Sequence, residues 1–221
     1  MTGPLDAPGL SAPRDRSARS RKRLIAAAVP VGLVAIAAAW LLVIAPERHA
    51  DGAGPLSATG GGVRIGMSAQ AVAGDRVTFG IELCLAQGSE PAIIDSVGPT
   101  TALGSGVTYL GSRLWTIDLV HSHPADDATI GVVRDFPPPT VPATEMVDAI
   151  GAPVRAGCQV DARTEVDQLL VGFGTDGTAS GGWHGVDVGY RTGWRHRVVS
   201  IDDDLFLCLM SDPDCDGRLI E

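Results

Sequence analysis

Apolar residues follow two patterns along this chain, and the change from one to the other falls at residue 45. Residues 24–45, LIAAAVPVGLVAIAAAWLLVIA, hold no charged side chain; beyond them apolar positions tend to alternate, in short runs cut by Gly and Pro. A run of 22 such residues makes a helix about 33 Å long, enough to cross a hydrocarbon layer of about 30 Å. It shows no polar face, so it predicts a membrane-spanning helix rather than the buried helix of a soluble core. Pro30 lies near its start, where a missing N–H costs least, and Trp40 lies toward its far end, where interfacial rings gather.

The flanks orient it. Arg14, Arg16, Arg19, Arg21, Lys22 and Arg23 precede the run, whereas Pro46, Glu47 and Arg48 follow it without a basic cluster. The positive-inside rule puts residues 1–23 in the cytoplasm and the remainder outside the cell membrane. A cleaved signal peptide would have a shorter apolar core, about 7–15 residues, ending in small residues. Here the small-residue pair Val43 and Ala45 is followed by Pro46, which disfavours cleavage, so the expectation is an uncleaved single-pass anchor.

After the anchor, residues 46–62 (PERHADGAGPLSATGGG) read as a flexible Gly/Ala/Pro linker, and strands are expected from residue 63. The clearest alternation is RVTFGIELCLA at 76–86: Val77, Phe79, Ile81, Leu83 and Leu85 face one way, Thr78, Gly80, Glu82 and Cys84 the other. Further β-rich runs fall at 63–67, 92–97, 107–110, 114–120, 129–133, 154–160, 165–173, 186–190, 197–201 and 205–210. The runs at 186–190 and 197–201 make the best hairpin, and FPPPTVP at 136–142 reads as an extended, polyproline-like crossover between sheets. Short strands at close intervals with many turn residues predict an all-β domain over 63–221, an immunoglobulin-like β-sandwich in architecture only. The two core cysteines spanning a tryptophan that mark true immunoglobulin domains are missing.

Charge sharpens this division. Residues 1–23 carry six cations and two acids, and the remainder eleven cations and 24 acids, so a basic tail of net +4 precedes a part of net −13, summing to the whole chain's −9. The tail, rich in Pro, Ser and Arg, reads as disordered. The acidic part argues against nucleic acid and against docking on anionic lipid. Asn is absent and Lys22 is the sole lysine, a skew that resembles the coding bias of high-GC bacteria.

Four cysteines, Cys84, Cys158, Cys208 and Cys215, lie on the expected outer side, where disulfides are the default. Cys208 and Cys215 are close enough for a short terminal staple, which would leave Cys84 with Cys158; the other two connectivities stay open. Cys84 has the opposite parity to the apolar face of its strand, so its bridge is expected at the surface or an edge.

Candidate chemistry is sparse. Asp212, Asp214 and Asp216, followed by Gly217, spell the opening of a calcium loop, but its twelfth position would fall at 223, beyond Glu221, so a solvated acidic tail is the plainer reading. His121 and His123, with Asp126 and Asp127 nearby, have a feasible metal-pair spacing in what reads as a polar turn. Gly172, Gly174 and Gly177 match G-x-G-x-x-G, yet another loop follows where a dinucleotide site needs a helix N-terminus. There is no G-x-S-x-G elbow. No catalytic residue and no cofactor is therefore assigned.

What remains is a cluster around the predicted hairpin: Trp183, Trp194, Arg195 and Arg197, residue types favoured as partner anchors. The functional expectation is a membrane-anchored, non-catalytic interaction or accessory module of a bacterial cell envelope. Its partners would be the bilayer, through 24–45, and another envelope protein. A calcium- or small-ligand-binding module is the alternative, and an extracytoplasmic hydrolase of unrecognised type the third reading.

Overall fold

The computed structural model describes residues 46–58, 66–120, 130–159, 164–212 and 215. Among these no helix is long and apolar enough to cross a membrane. The basic tail 1–23 and the apolar segment 24–45 lie outside the described residues. What is described is all-β, in three sheets around one shared core.

Fifteen strands are described. In chain order they are β1 (Glu47–Ala50), β2 (Leu56–Ala58), β3 (Gly66–Ala71), β4 (Arg76–Leu85) and β5 (Ala92–Pro99). There follow β6 (Ala102–Gly104), β7 (Val107–Asp118), β8 (Val132–Arg134), β9 (Met146–Asp148) and β10 (Pro153–Val154). The last five are β11 (Glu165–Thr175), β12 (Gly181–Trp183), β13 (Val186–Thr192), β14 (Arg195–Ile201) and β15 (Asp204–Leu209). The first sheet runs β1-β14-β13-β5-β10, the second β2-β4-β11-β7-β9 with β8 also on β4, and the third β3-β15-β12-β6.

Residues 46–58 correct the expected linker. Glu47–Ala50 pairs in parallel with β14 and Leu56–Ala58 pairs with the end of β4. Leu56 is wholly buried. Composition read this stretch as flexible, but Leu56 fills the core and the Gly residues serve the turn between β1 and β2. Only Pro46 separates the end of the apolar segment from β1. Residues 59–62 lie outside the described residues.

β11 is the spine of the second sheet, antiparallel to β4 on one side and to β7 on the other. Val77, Phe79, Ile81 and Leu83 of β4 are buried on the predicted face, together with Leu169, Val171 and Phe173 of β11 and Leu114 of β7. Facing them from the first sheet are Ile94, Val188, Tyr190 and Val199, and Leu205 and Leu207 of the third sheet join the same core. Runs 107–110 and 114–120, expected as separate strands, form the single β7. Gly172 pairs with Gly111 and Phe173 with Tyr109, so Leu110 is an extra residue, a bulge that Gly111 with φ 130° absorbs.

The opposite face of β4 and β11 is covered as well, with Thr78, Cys84, Gln168 and Leu170 buried on it. β8 lies along one edge of this sheet, on β4, and β9 along the other, on β7. The chain between them therefore crosses over the outside of the same sheet, not from one sheet to another. Residues 136–142 are turns rather than an extended crossover: Val141 N–H donates to Pro138 O at 3.3 Å, and the Phe136-Pro137 peptide is cis. This cover makes a second small core of Ile130, Val141 and Leu170, flanked by Trp115, Val133 and Met146.

Two disulfides close the domain, Cys84–Cys158 and Cys208–Cys215. Cys84 does lie on the non-core face of β4, as its parity requires, but it is buried rather than superficial. The segment 155–158 covers it. Leu85 N–H donates to Ala156 O, Cys158 N–H donates to Leu85 O, and Ser57 Oγ lies 3.7 Å from the Cys158 sulfur.

Candidate interaction surface

The surface expected from Trp183, Trp194, Arg195 and Arg197 divides in two. β13 and β14 form the predicted hairpin with Thr192 opposite Arg195, leaving a two-residue turn of Gly193 and Trp194. Gly193 has φ 58°, the positive value that the first position of a type II′ turn demands. That geometry thrusts Trp194 outward, 72% exposed, the most exposed of the large apolar side chains described. The Arg195 guanidinium carbon lies 5.4 Å from the centre of its ring, a cation–π pair held at the very tip. Among the described residues Arg195 has no carboxylate partner.

Arg197 stands just behind them and is tied down. Its side chain is only 12% exposed; Nε donates to Glu47 Oε2 at 3.1 Å and Nη1 donates to Thr192 Oγ1. It thus couples the tip to β1, and it is a support for the surface rather than part of it. On the outer face, Asp95 accepts from Arg191 Nη1 at 3.2 Å and from His196 Nδ1 at 3.0 Å. Glu90 reaches Gly193 from the β4–β5 turn, its Oε2 3.3 Å from where a Cβ would stand there. The tip therefore carries mixed, mostly paired charge.

Trp183 is elsewhere. It begins the chain segment that leads into the opposite end of β13, and its ring stacks on Phe173 at 4.5 Å and packs against the main core. Sequence could not separate the two tryptophans, because both precede a basic or histidine residue beside a strand. Only pairing shows that one caps the core and the other crowns a turn.

The local partnership that sequence reading missed is His49 with Tyr190. Tyr190 is wholly buried, and its hydroxyl lies 2.6 Å from His49 Nε2, the two rings edge to face. His49 Nδ1 faces the Ala50 carbonyl at 3.2 Å, and a carbonyl only accepts. The proton therefore sits on Nδ1, and Nε2 accepts from the tyrosine. Burial raises the Tyr190 pKa above the ordinary phenol value, against the lowering effect of a hydrogen bond from the Leu56 backbone. The alternation in 186–190 marked Tyr190 as inward, but nothing in a stretch read as linker marked His49.

The remaining candidates assemble no site that the geometry completes. Asp212 ends a turn after β15, its N–H donating to Leu209 O. Asp214, Asp216, His121 and His123 lie outside the described residues, among which no group of three metal-ligating side chains occurs. Gly172 and Gly174 are inside β11 and Gly177 is in the turn toward β12, so the G-x-G-x-x-G match is a strand and its exit. A cleft of about 230 Å³ lies beside the Cys84–Cys158 bridge, lined by Gln87, Arg155, Gln159, Thr164 and Glu165 among others. That is below the usual range for small-molecule sites, about 300–1,000 Å³. His184 Nδ1 donates to Asp204 Oδ1 at 2.8 Å, a half-exposed imidazole on a buried carboxylate, at the far end of the first sheet from the tip.

No protein-family model matches the chain, and no curated protein matches it.

Proposed function

We propose that this chain is a membrane-anchored, non-catalytic interaction module of a bacterial cell envelope that binds another envelope protein. In this reading residues 24–45 cross the membrane, residues 1–23 stay in the cytoplasm, and the β domain, an immunoglobulin-like sandwich in architecture, stands outside. Two disulfides fit an oxidising compartment. A core shared by facing sheets fits the sandwich.

The observation that carries the binding role is Trp194. Exposing an indole to water at 72% forgoes the hydrophobic stabilisation of a large ring. A two-residue turn holds it there beside the Arg195 guanidinium, which has no carboxylate partner among the described residues, and this is the composition of an interface anchor.

The test is cross-linking in intact cells of the full-length chain tagged at its C-terminus, with identification of what co-purifies. A stoichiometric envelope protein, lost when Trp194 and Arg195 are both changed to Ala, is expected. Absence of any protein partner across a range of cross-linker lengths would remove this reading.

A further inference from the structure

The arginines of the first sheet are not alike. Arg48 is paired with Asp187, Arg191 with Asp95 and Arg197 with Glu47, so the carboxylates on the strands of that sheet are all taken. Arg195, exposed at the hairpin tip, has no ion-pair partner among the described residues. Glu90, exposed in the turn before β5, has none either, although its Oε2 lies 3.3 Å from where a Cβ would stand on Gly193. An acid and a base thus attend one two-residue turn without meeting: Glu90 reaches Gly193, and the Arg195 guanidinium lies over the Trp194 ring at 5.4 Å. Behind them Arg197, bonded to both Glu47 and Thr192, fixes the strand end from which the turn projects.

We infer that the tip recognises a protein segment carrying both signs of charge: an apolar socket for Trp194, a carboxylate for Arg195 and a cation for Glu90. This rests on the protein-binding reading above and adds to it the chemistry of what is bound. Charge complementarity decides between occupants. A polyanion would satisfy Arg195 but would meet Glu90 at the turn, in a chain whose residues beyond the basic tail carry eleven cations against 24 acids. A uniformly cationic segment would satisfy Glu90 and be repelled at Arg195. A neutral apolar surface would cover the indole while stripping water from two charges left unpaired. A segment of mixed sign leaves neither charge facing its like, and two unlike pairs beside one anchor fix its register. The indole supplies the buried area and the two charges supply the selection. Because the strand ends behind the turn are already bonded, little ordering is left to be lost on binding.

The experiment places a photo-reactive phenylalanine analogue at Trp194 in the full chain, irradiates intact cells and sequences the cross-linked peptide by mass spectrometry. One protein adduct is expected, its cross-linked segment carrying an Asp or Glu and a Lys or Arg beside apolar residues. Arg195→Glu and Glu90→Arg should each cut the yield about fivefold, the upper end for an exposed ion pair. Changing the partner's carboxylate to Lys should restore the yield of the Arg195→Glu chain, a rescue that a misfolded variant could not show. The same probe at exposed Asp202, just beyond the other end of β14, should not give the adduct. A cross-linked segment lacking either sign, a yield indifferent to either reversal, failure of the rescue, an equal adduct from position 202, or adducts to lipid or carbohydrate alone would each overturn the inference. If general cross-linking still finds a partner that is lost when Trp194 and Arg195 are both changed to Ala, the binding reading survives that result; if neither method finds one, both fall.

Discussion

The side-chain amide of Gln168 grips both backbone groups of Ile130: its Oε1 accepts from Ile130 N–H at 2.9 Å and its Nε2 donates to Ile130 O at 2.8 Å. Gln168 lies on the non-core face of β11 and is buried. This ring fastens the chain that covers the second sheet, standing in for a strand pair at that point. Changing Gln168 to Leu keeps the bulk and orphans two buried backbone groups. A loss of about 1–3 kcal/mol for each group left without water is expected. Urea unfolding of the full chain in mild detergent would measure it, and a change below about 0.5 kcal/mol would refute the grip.

Phe136 lies flat on Gly172 of β11, where a Cβ would come 2.2 Å from its ring. Gly172→Ala should therefore destabilise by about 1–3 kcal/mol through overpacking. The Phe136→Ala background should relieve most of that steric penalty, which a double-mutant cycle would read as a coupling of about 1 kcal/mol or more. Additive losses would show that the ring does not rest on the glycine.

Both tyrosines of the chain, Tyr109 and Tyr190, are held neutral by burial, with pKa values raised above the usual 10. A folded pKa above the unfolded one gives stability that is fully present below pH of about 10 and is lost as pH rises toward the folded value, because the unfolded chain sheds its protons first. Phenolate absorbance should lag in the folded protein relative to the urea-unfolded chain. Tyr190→Phe should flatten part of the fall in stability above pH of about 10; coincident folded and unfolded titrations would contradict the burial argument.

The two disulfides close loops of very different length, with sequence separations of 74 for Cys84–Cys158 and 7 for Cys208–Cys215. The chain-entropy account gives the longer loop about 4 kcal/mol and the shorter about 2 kcal/mol. Replacing each pair by Ala in turn and comparing unfolding midpoints should show the larger loss for the first pair. The reverse order would mean that strain or residual structure outweighs loop closure.

The strands that were legible are those with a clean period of two. Val77 to Leu85 alternated because one side of β4 meets a core of aliphatic and aromatic side chains, and the hairpin of β13 and β14 was legible from its runs and the Gly193 turn. The short strands β1, β2, β6, β9 and β12 were not. Each is three or four residues long and too short to show a period; Glu47–Ala50 even carries three polar residues. Its place is set by Arg197, Asp187 and Tyr190, all more than a hundred residues away.

The sequence by itself determined an all-β domain, the inward face of β4, the turn at Gly193 and the supply of four cysteines, because these depend on local alternation and on residues whose backbone freedom is special. It also contained the uncharged run 24–45 on which the anchored reading rests. Only the tertiary structure decided that residues 46–58 belong to the fold, that the outer face of β11 is covered, and that Cys84 is buried under residues 155–158. It alone parted Trp183, stacked on Phe173, from Trp194, held out at the tip. Burial is a property of pairs of distant segments, and no single stretch of chain carries the identity of what will lie on top of it.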